Sequence, residues 1–115
     1  MKAHERRVAT RVPAKFQVNF IHEGDYLISR TRDISVSGMF LYTETPPAVA
    51  EQTELTFSIG DLTDCTLMAQ VIWVNHTKSR KDSGMAVQFI DPQPDLIDAI
   101  LHIIHKVAVF PEQDH

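Results

Sequence analysis

From Ala14 to Ile90 apolar and polar residues alternate in short runs broken by Gly, Pro and Asp. Only beyond Asp91 does the apolar period lengthen to that of a helix. That change of period constrains the fold more than any other feature. Phe16, Val18 and Phe20 face one way and Lys15, Gln17 and Asn19 the other, which is a half-buried strand. Glu23-Gly24-Asp25 reads as a turn into a second strand over Tyr26–Asp33, and Gly38–Thr43 as a short apolar third. Pro46-Pro47 opens a loop, because neither residue donates to a sheet ladder. Leu55, Phe57 and Ile59 mark a fourth strand closed by Gly60-Asp61. Cys65–Asn75 is the fifth, with Leu67, Ala69, Val71 and Trp73 on one side as packing residues. His76–Ser83 reads as a hairpin loop whose cations Lys78, Arg80 and Lys81 are solvated, and Gly84–Ile90 is the sixth strand.

Asp91-Pro-Gln-Pro-Asp95 starts a helix, with proline tolerated in the first turn and Asp95 and Asp98 near the positive end of its dipole. Leu96, Ile97, Ile100, Leu101, Ile104 and Val107 then recur at helical spacing. The expected fold is mostly β: a six-stranded antiparallel barrel, which leaves no exposed edge, with a C-terminal helix covering an opening. At 115 residues this is a single domain. Residues 1–13 are expected to form a flexible N-terminal arm and residues 14–115 the barrel and helix.

The chain carries a net charge of −4, unevenly placed. Lys2, Arg6, Arg7, Arg11 and Lys15 against Glu5 give residues 1–15 a net +4, leaving −8 on the other hundred. A cationic arm on an acidic body points to local anion capture rather than a nucleic-acid-binding face, although a solvated tail has the same composition. The lone Cys65 excludes an intrachain disulfide and a Cys-rich zinc site. His102 and His105, at i, i+3 on the helix, lack an evident third ligand, so no metal is expected. No apolar run approaches the roughly 18 residues of a membrane span, and the first residues do not read as a secretory signal. The expectation is a cytoplasmic protein without direct membrane association.

Two clusters carry the chemistry. Arg7-Val-Ala-Thr-Arg11 places two guanidinium forks in the arm, each able to grip phosphate or the O6 and N7 acceptors of guanine. Asp33-Ile-Ser35-Val-Ser37-Gly38 lies between two strands. Its carboxylate accepts from guanine N1 and N2 hydrogens or holds an arginine, and Ser35 is a small donor and acceptor. Gly38 permits either φ > 0 or close backbone approach. The same residues also occur in ordinary Asx and Ser turns. No nucleophile–base pair, phosphate loop or metal-ligand set is present, so no catalytic residue is assigned and an enzyme is not expected.

Arg7-x-x-x-Arg11 with Val12-Pro13, Asp33-Ile-Ser35-x-x-Gly38-Met-Phe-Leu, Val71-Ile-Trp73 and Gly84-Met-Ala-Val-Gln-Phe89 occur in this order and spacing. In them the chain resembles the PilZ domain family, receptors for the bacterial second messenger cyclic di-GMP. The resemblance implies a PilZ-type barrel whose arm folds over bound nucleotide. Arg7 and Arg11 would grip guanines and phosphates, Asp33 and Ser35 would contact guanine and backbone, and Gly38 would keep the turn open. Arg6 would help neutralise a stacked pair of ligand molecules. The implied role is an adaptor with an unknown downstream protein partner and no cofactor beyond the ligand. The alternative is a ligand-independent PilZ-like interaction module. Ser37 and Ala86 stand where the family often has glycine, and neither change removes a ligand-contacting side chain.

Overall fold

The computed structural model describes residues 10–77 and 79–109. Seven strands and one long helix follow in order: β1 (Val12–Pro13), β2 (Gln17–His22), β3 (Asp25–Ile34), β4 (Gly38–Tyr42), β5 (Gln52–Ile59), β6 (Leu62–Asn75), β7 (Gly84–Phe89) and α1 (Pro94–Val109). All pairings are antiparallel. β3, β2, β5, β6, β7 and β4 are neighbours in that order, and β4 returns to β3. The result is the expected closed six-stranded barrel with a C-terminal helix. The two-residue β1 adds to β3 beyond the end of β2, pairing Val12 with Ile34 and Pro13 with Asp33.

Val12, within the segment expected as the arm, is only 5% exposed and packs into the core. Paired backbone and a buried valine tie the chain down from this point. Met1 to Ala9, including Arg6 and Arg7, lie outside the described residues, as does Lys78.

Alternation places Val18, Phe20, Met39, Leu41, Leu55, Phe57, Ala69, Val71, Met85, Val87 and Phe89 inside the barrel. Each large side chain so buried contributes about 1.5–3 kcal/mol. Glu23 and Gly24, both at positive φ, form the two-residue turn that fixes the β2–β3 register at His22↔Asp25. Gly60-Asp61 closes β5 as expected and is itself the tight turn into β6, which starts at Leu62, earlier than the expected Cys65.

Pro94 opens α1, as expected for a residue whose missing N–H is no loss in the first turn. Leu96 and Ile100 enter the core, Ile103 and Ile104 pack against it half-buried, and Leu101 and Val107 are exposed. The helix thus covers the barrel with its N-terminal half. No helix among the described residues is long and apolar enough to cross a membrane. Nor do the described residues hold a group of three His, Cys, Asp or Glu placed to bind a metal ion.

Candidate functional site

Two of the register slips among the described strands shape this face of the barrel. On β3 the register to β4 slips between Thr31 and Asp33: Thr31 opposes Leu41, Asp33 opposes Phe40, and Arg32 is the extra residue. A bulge puts successive side chains on one face, where regular alternation would separate them. Accordingly Thr31 and Ile34 point inward and are buried, while Arg32 and Asp33 stand together outside. The Thr31 hydroxyl, 1% exposed, lies 3.0 Å from the carbonyls of both Asp33 and Phe40 and secures the distortion from within.

The second slip, on β6 between Val71 and Trp73, turns Ile72 and Trp73 outward together. Trp73 was expected in line with Leu67, Ala69 and Val71, but it is 50% exposed because the bulge at Ile72 reverses the parity of the strand. Register then aligns Pro13, Asp33, Phe40, Ala86 and Trp73 in one row across β1, β3, β4, β7 and β6.

Asp33 carries the charge in this row. Arg11 donates from Nε to Asp33 Oδ1 at 2.9 Å, and Arg32 donates from Nε to Oδ2 at 2.8 Å. The Asp33 side chain is 16% exposed, against 42% for Arg11 and 48% for Arg32. Both bonds use Nε, so the terminal amino groups of each guanidinium are not consumed by Asp33. Two cations on one carboxylate leave a local excess of positive charge.

Arg32 also sits over Phe40, with Cζ 4.0 Å from the ring centroid. Phe40 is 1% exposed although it is on the outer face, covered by Arg32 and flanked by Tyr42 at 5.6 Å and Trp73 at 6.1 Å between centroids. Its ring rests against Gly84, where an added Cβ would come within 2.6 Å of Cε1 and Cζ. Beyond Tyr42 a cleft of about 680 Å³ opens between Lys15, Gln17, Arg30, Thr43 and Lys81.

The corner after β3 is knitted internally. Ser35 is fully buried; its N–H donates to Gly38 O at 2.8 Å, and its hydroxyl accepts from Ser37 N–H at 3.2 Å and pairs with the Ser37 hydroxyl at 3.0 Å. Ser37 O accepts from Phe89 N–H at 2.8 Å, joining the corner to β7. Gly38 does not use the left-handed region. A Cβ there would lie 2.0 Å from Val87 O, so the glycine serves close approach of β4 and β7.

Of the residues singled out from sequence, Arg11 and Asp33 meet directly across 22 positions of chain. Ser35 and Gly38 lie beneath them as parts of the corner, with Ser35 turned into the fold rather than toward solvent. Arg6 and Arg7 lie outside the described residues. Arg32 and Phe40 were not recognised, because unbroken alternation puts Arg32 on the face opposite Asp33. The adjacency of another arginine to Asp33 was the only signal available.

The PilZ domain family model matches residues 5–106, most of the chain. The protein belongs to the PilZ domain family. Solved PilZ structures share its fold at low identity. The structure of the Bacillus subtilis inhibitor of motility MotI/DgrA superposes with a TM-score of 0.74 at 15% identity, over 90% of this chain and 51% of that one. The Escherichia coli YcgR PilZ domain, solved with c-di-GMP, gives 0.66 at 16% identity, over 95% and 96%. The K. pneumonia MrkH–c-di-GMP complex gives 0.70 at 17% identity, over 93% and 54%. The present chain spans about half the length of MotI/DgrA and of MrkH. No individually curated protein sequence shows significant similarity to it.

Proposed function

We propose that this PilZ domain is a receptor for cyclic di-GMP, bound over the Arg11–Asp33 corner. The single observation that carries the reading is the 2.9 Å contact between Arg11 and Asp33, which brings the arm motif and the turn motif to one point on the barrel surface. Pairing of Pro13 with Asp33 holds the arm's root beside that carboxylate. In this reading Arg11 and Arg7 grip phosphate and the guanine O6 and N7 edge, and Asp33 accepts from guanine N1–H and N2–H. Ser35 and Gly38 hold the corner in shape. Arg6 adds charge for a stacked pair of nucleotides, which together bring about four phosphate charges. Ordering of the arm over the ligand changes the surface offered to a downstream protein, an order–disorder switch.

Titration calorimetry on the whole chain tests the assignment. Cyclic di-GMP binds at micromolar concentration or tighter, about −8 kcal/mol or better. Arg11→Ala and Asp33→Ala each weaken binding by a few kcal/mol through loss of charge-assisted bonds. A folded protein giving no heat with excess nucleotide refutes the receptor reading. That result would favour a ligand-independent interaction module, for which the exposed Leu101 and Val107 on α1 are the supporting observation.

A further inference from the structure

We infer that Arg32, which is outside both family motifs, is the stacking platform on which a guanine of the bound nucleotide rests. The inference builds on the cyclic di-GMP reading and names a residue that reading does not use.

Three features of Arg32 point to this role. First, its guanidinium is held on two sides before any ligand arrives. Nε is bonded to Asp33 Oδ2 at 2.8 Å, and the flat group lies 4.0 Å from the Phe40 centroid. Phe40 cannot retreat, because Gly84 backs its ring and Tyr42 and Trp73 flank it. An arginine so fixed has already lost the rotamer freedom that binding would otherwise cost. Second, the side chain is nonetheless 48% exposed, so it remains accessible to a ligand from solvent. A guanidinium seated on an aromatic ring and still accessible from solvent is a ready surface for a purine.

Third, the platform adjoins the acceptor that distinguishes guanine. Each oxygen of Asp33 takes one N–H in the structure, from Arg11 and from Arg32. A carboxylate has about four lone-pair sites, so guanine N1–H and N2–H can be added without displacing Arg32. Adenine has no N1 hydrogen to offer.

The bulge explains why the device exists at this position. In an unbroken strand Arg32 would point away from Asp33; the extra residue at 32 turns it to the same side. The Arg32–Asp33 bond is not needed to hold the bulge, because the buried Thr31 hydroxyl already does so from within.

The test measures cyclic di-GMP affinity by calorimetry for the wild-type chain, Arg32→Ala and Arg32→Lys, at low salt and near 0.5 M salt, where screening extends only about 4 Å. Trp73, the only tryptophan, gives a parallel fluorescence readout at the edge of the platform. Arg32→Ala is expected to bind roughly tenfold to a hundredfold more weakly. Its thermal midpoint without ligand falls somewhat as Phe40 loses its cover, the domain stays folded at the assay temperature, and the loss of affinity persists at high salt because stacking is not screened. Arg32→Lys keeps the charge but not the plane, and remains weakened. Wild-type affinity in Arg32→Ala, full restoration by lysine, or a defect that vanishes in salt each overturns the platform while leaving the receptor assignment intact. Failure of the wild-type chain to bind refutes the receptor assignment and the platform with it.

Discussion

Gly38 offers the sharpest separation between a residue kept for the ligand and one kept for the barrel. A Cβ at this position falls 2.0 Å from Val87 O, 3.0 Å from Val87 C and 3.2 Å from Gln88 Cα. The first distance is roughly 1.4 Å short of ordinary van der Waals contact, and every obstructing atom is backbone. No rotamer change relieves it; β4 must move away from β7, where Gly38 pairs with Gln88 and Met39 with Val87. Overpacking of this kind costs about 1–3 kcal/mol, and each ladder hydrogen bond stretched by the separation adds about 1 kcal/mol. Gly38→Ala is therefore expected to destabilise the domain by about 3–5 kcal/mol, a large share of a typical 5–15 kcal/mol. At roughly 4–8 °C per kcal/mol the thermal midpoint drops by about 12 °C or more. Urea titration followed by circular dichroism measures the change. A variant that unfolds at the wild-type midpoint yet no longer binds nucleotide would refute the reasoning, since it would assign the glycine to ligand approach.

Two further outcomes follow from the buried Thr31 and the half-buried Cys65. Thr31→Val keeps the shape of a 1%-exposed side chain but removes the hydroxyl shared by the Asp33 and Phe40 carbonyls. It should cost about 1–3 kcal/mol in urea unfolding and also weaken cyclic di-GMP binding by relaxing the bulge that carries Arg32 and Asp33; unchanged values of both contradict this. The Cys65 thiol is pushed above its ordinary 9.0, first by burial and then by the carboxylates of Asp64 and Asp95. Because the folded value exceeds the unfolded one, its contribution to stability is present below the ordinary value and is lost as pH rises through the raised one. Alkylation by iodoacetamide should be slower than for a free cysteine peptide, with a rate midpoint at higher pH that Asp95→Asn lowers; a midpoint at or below the peptide's contradicts the assignment.

The alternation of Phe16, Val18 and Phe20, of Leu55, Phe57 and Ile59, and the helical spacing from Leu96 each record which side of an element meets the core. That information is local, so the barrel-then-helix plan, its main strands and its inward residues were legible in the chain alone. The turn at Glu23-Gly24 was legible for the same reason, since its backbone conformation depends on the residues in it. Arg11 and Asp33 were recognisable as chemistry, and their spacing as a family pattern.

Tertiary structure decided where that chemistry stands. The bulges at Arg32 and Ile72 are mismatches between strands, set by register to β4 and to β7, and no window within β3 or β6 contains the partner that imposes them. They turned Trp73 outward, brought Arg32 beside Asp33 and made Phe40 a buried residue on an exposed face. The choice between Gly38's two readings was likewise made by Val87, 49 positions away, whose carbonyl leaves no room for a side chain. The chain determined its periods and its charges; only the pairing of distant strands determined which of those charges meet, because a one-residue slip in register changes the face a side chain occupies.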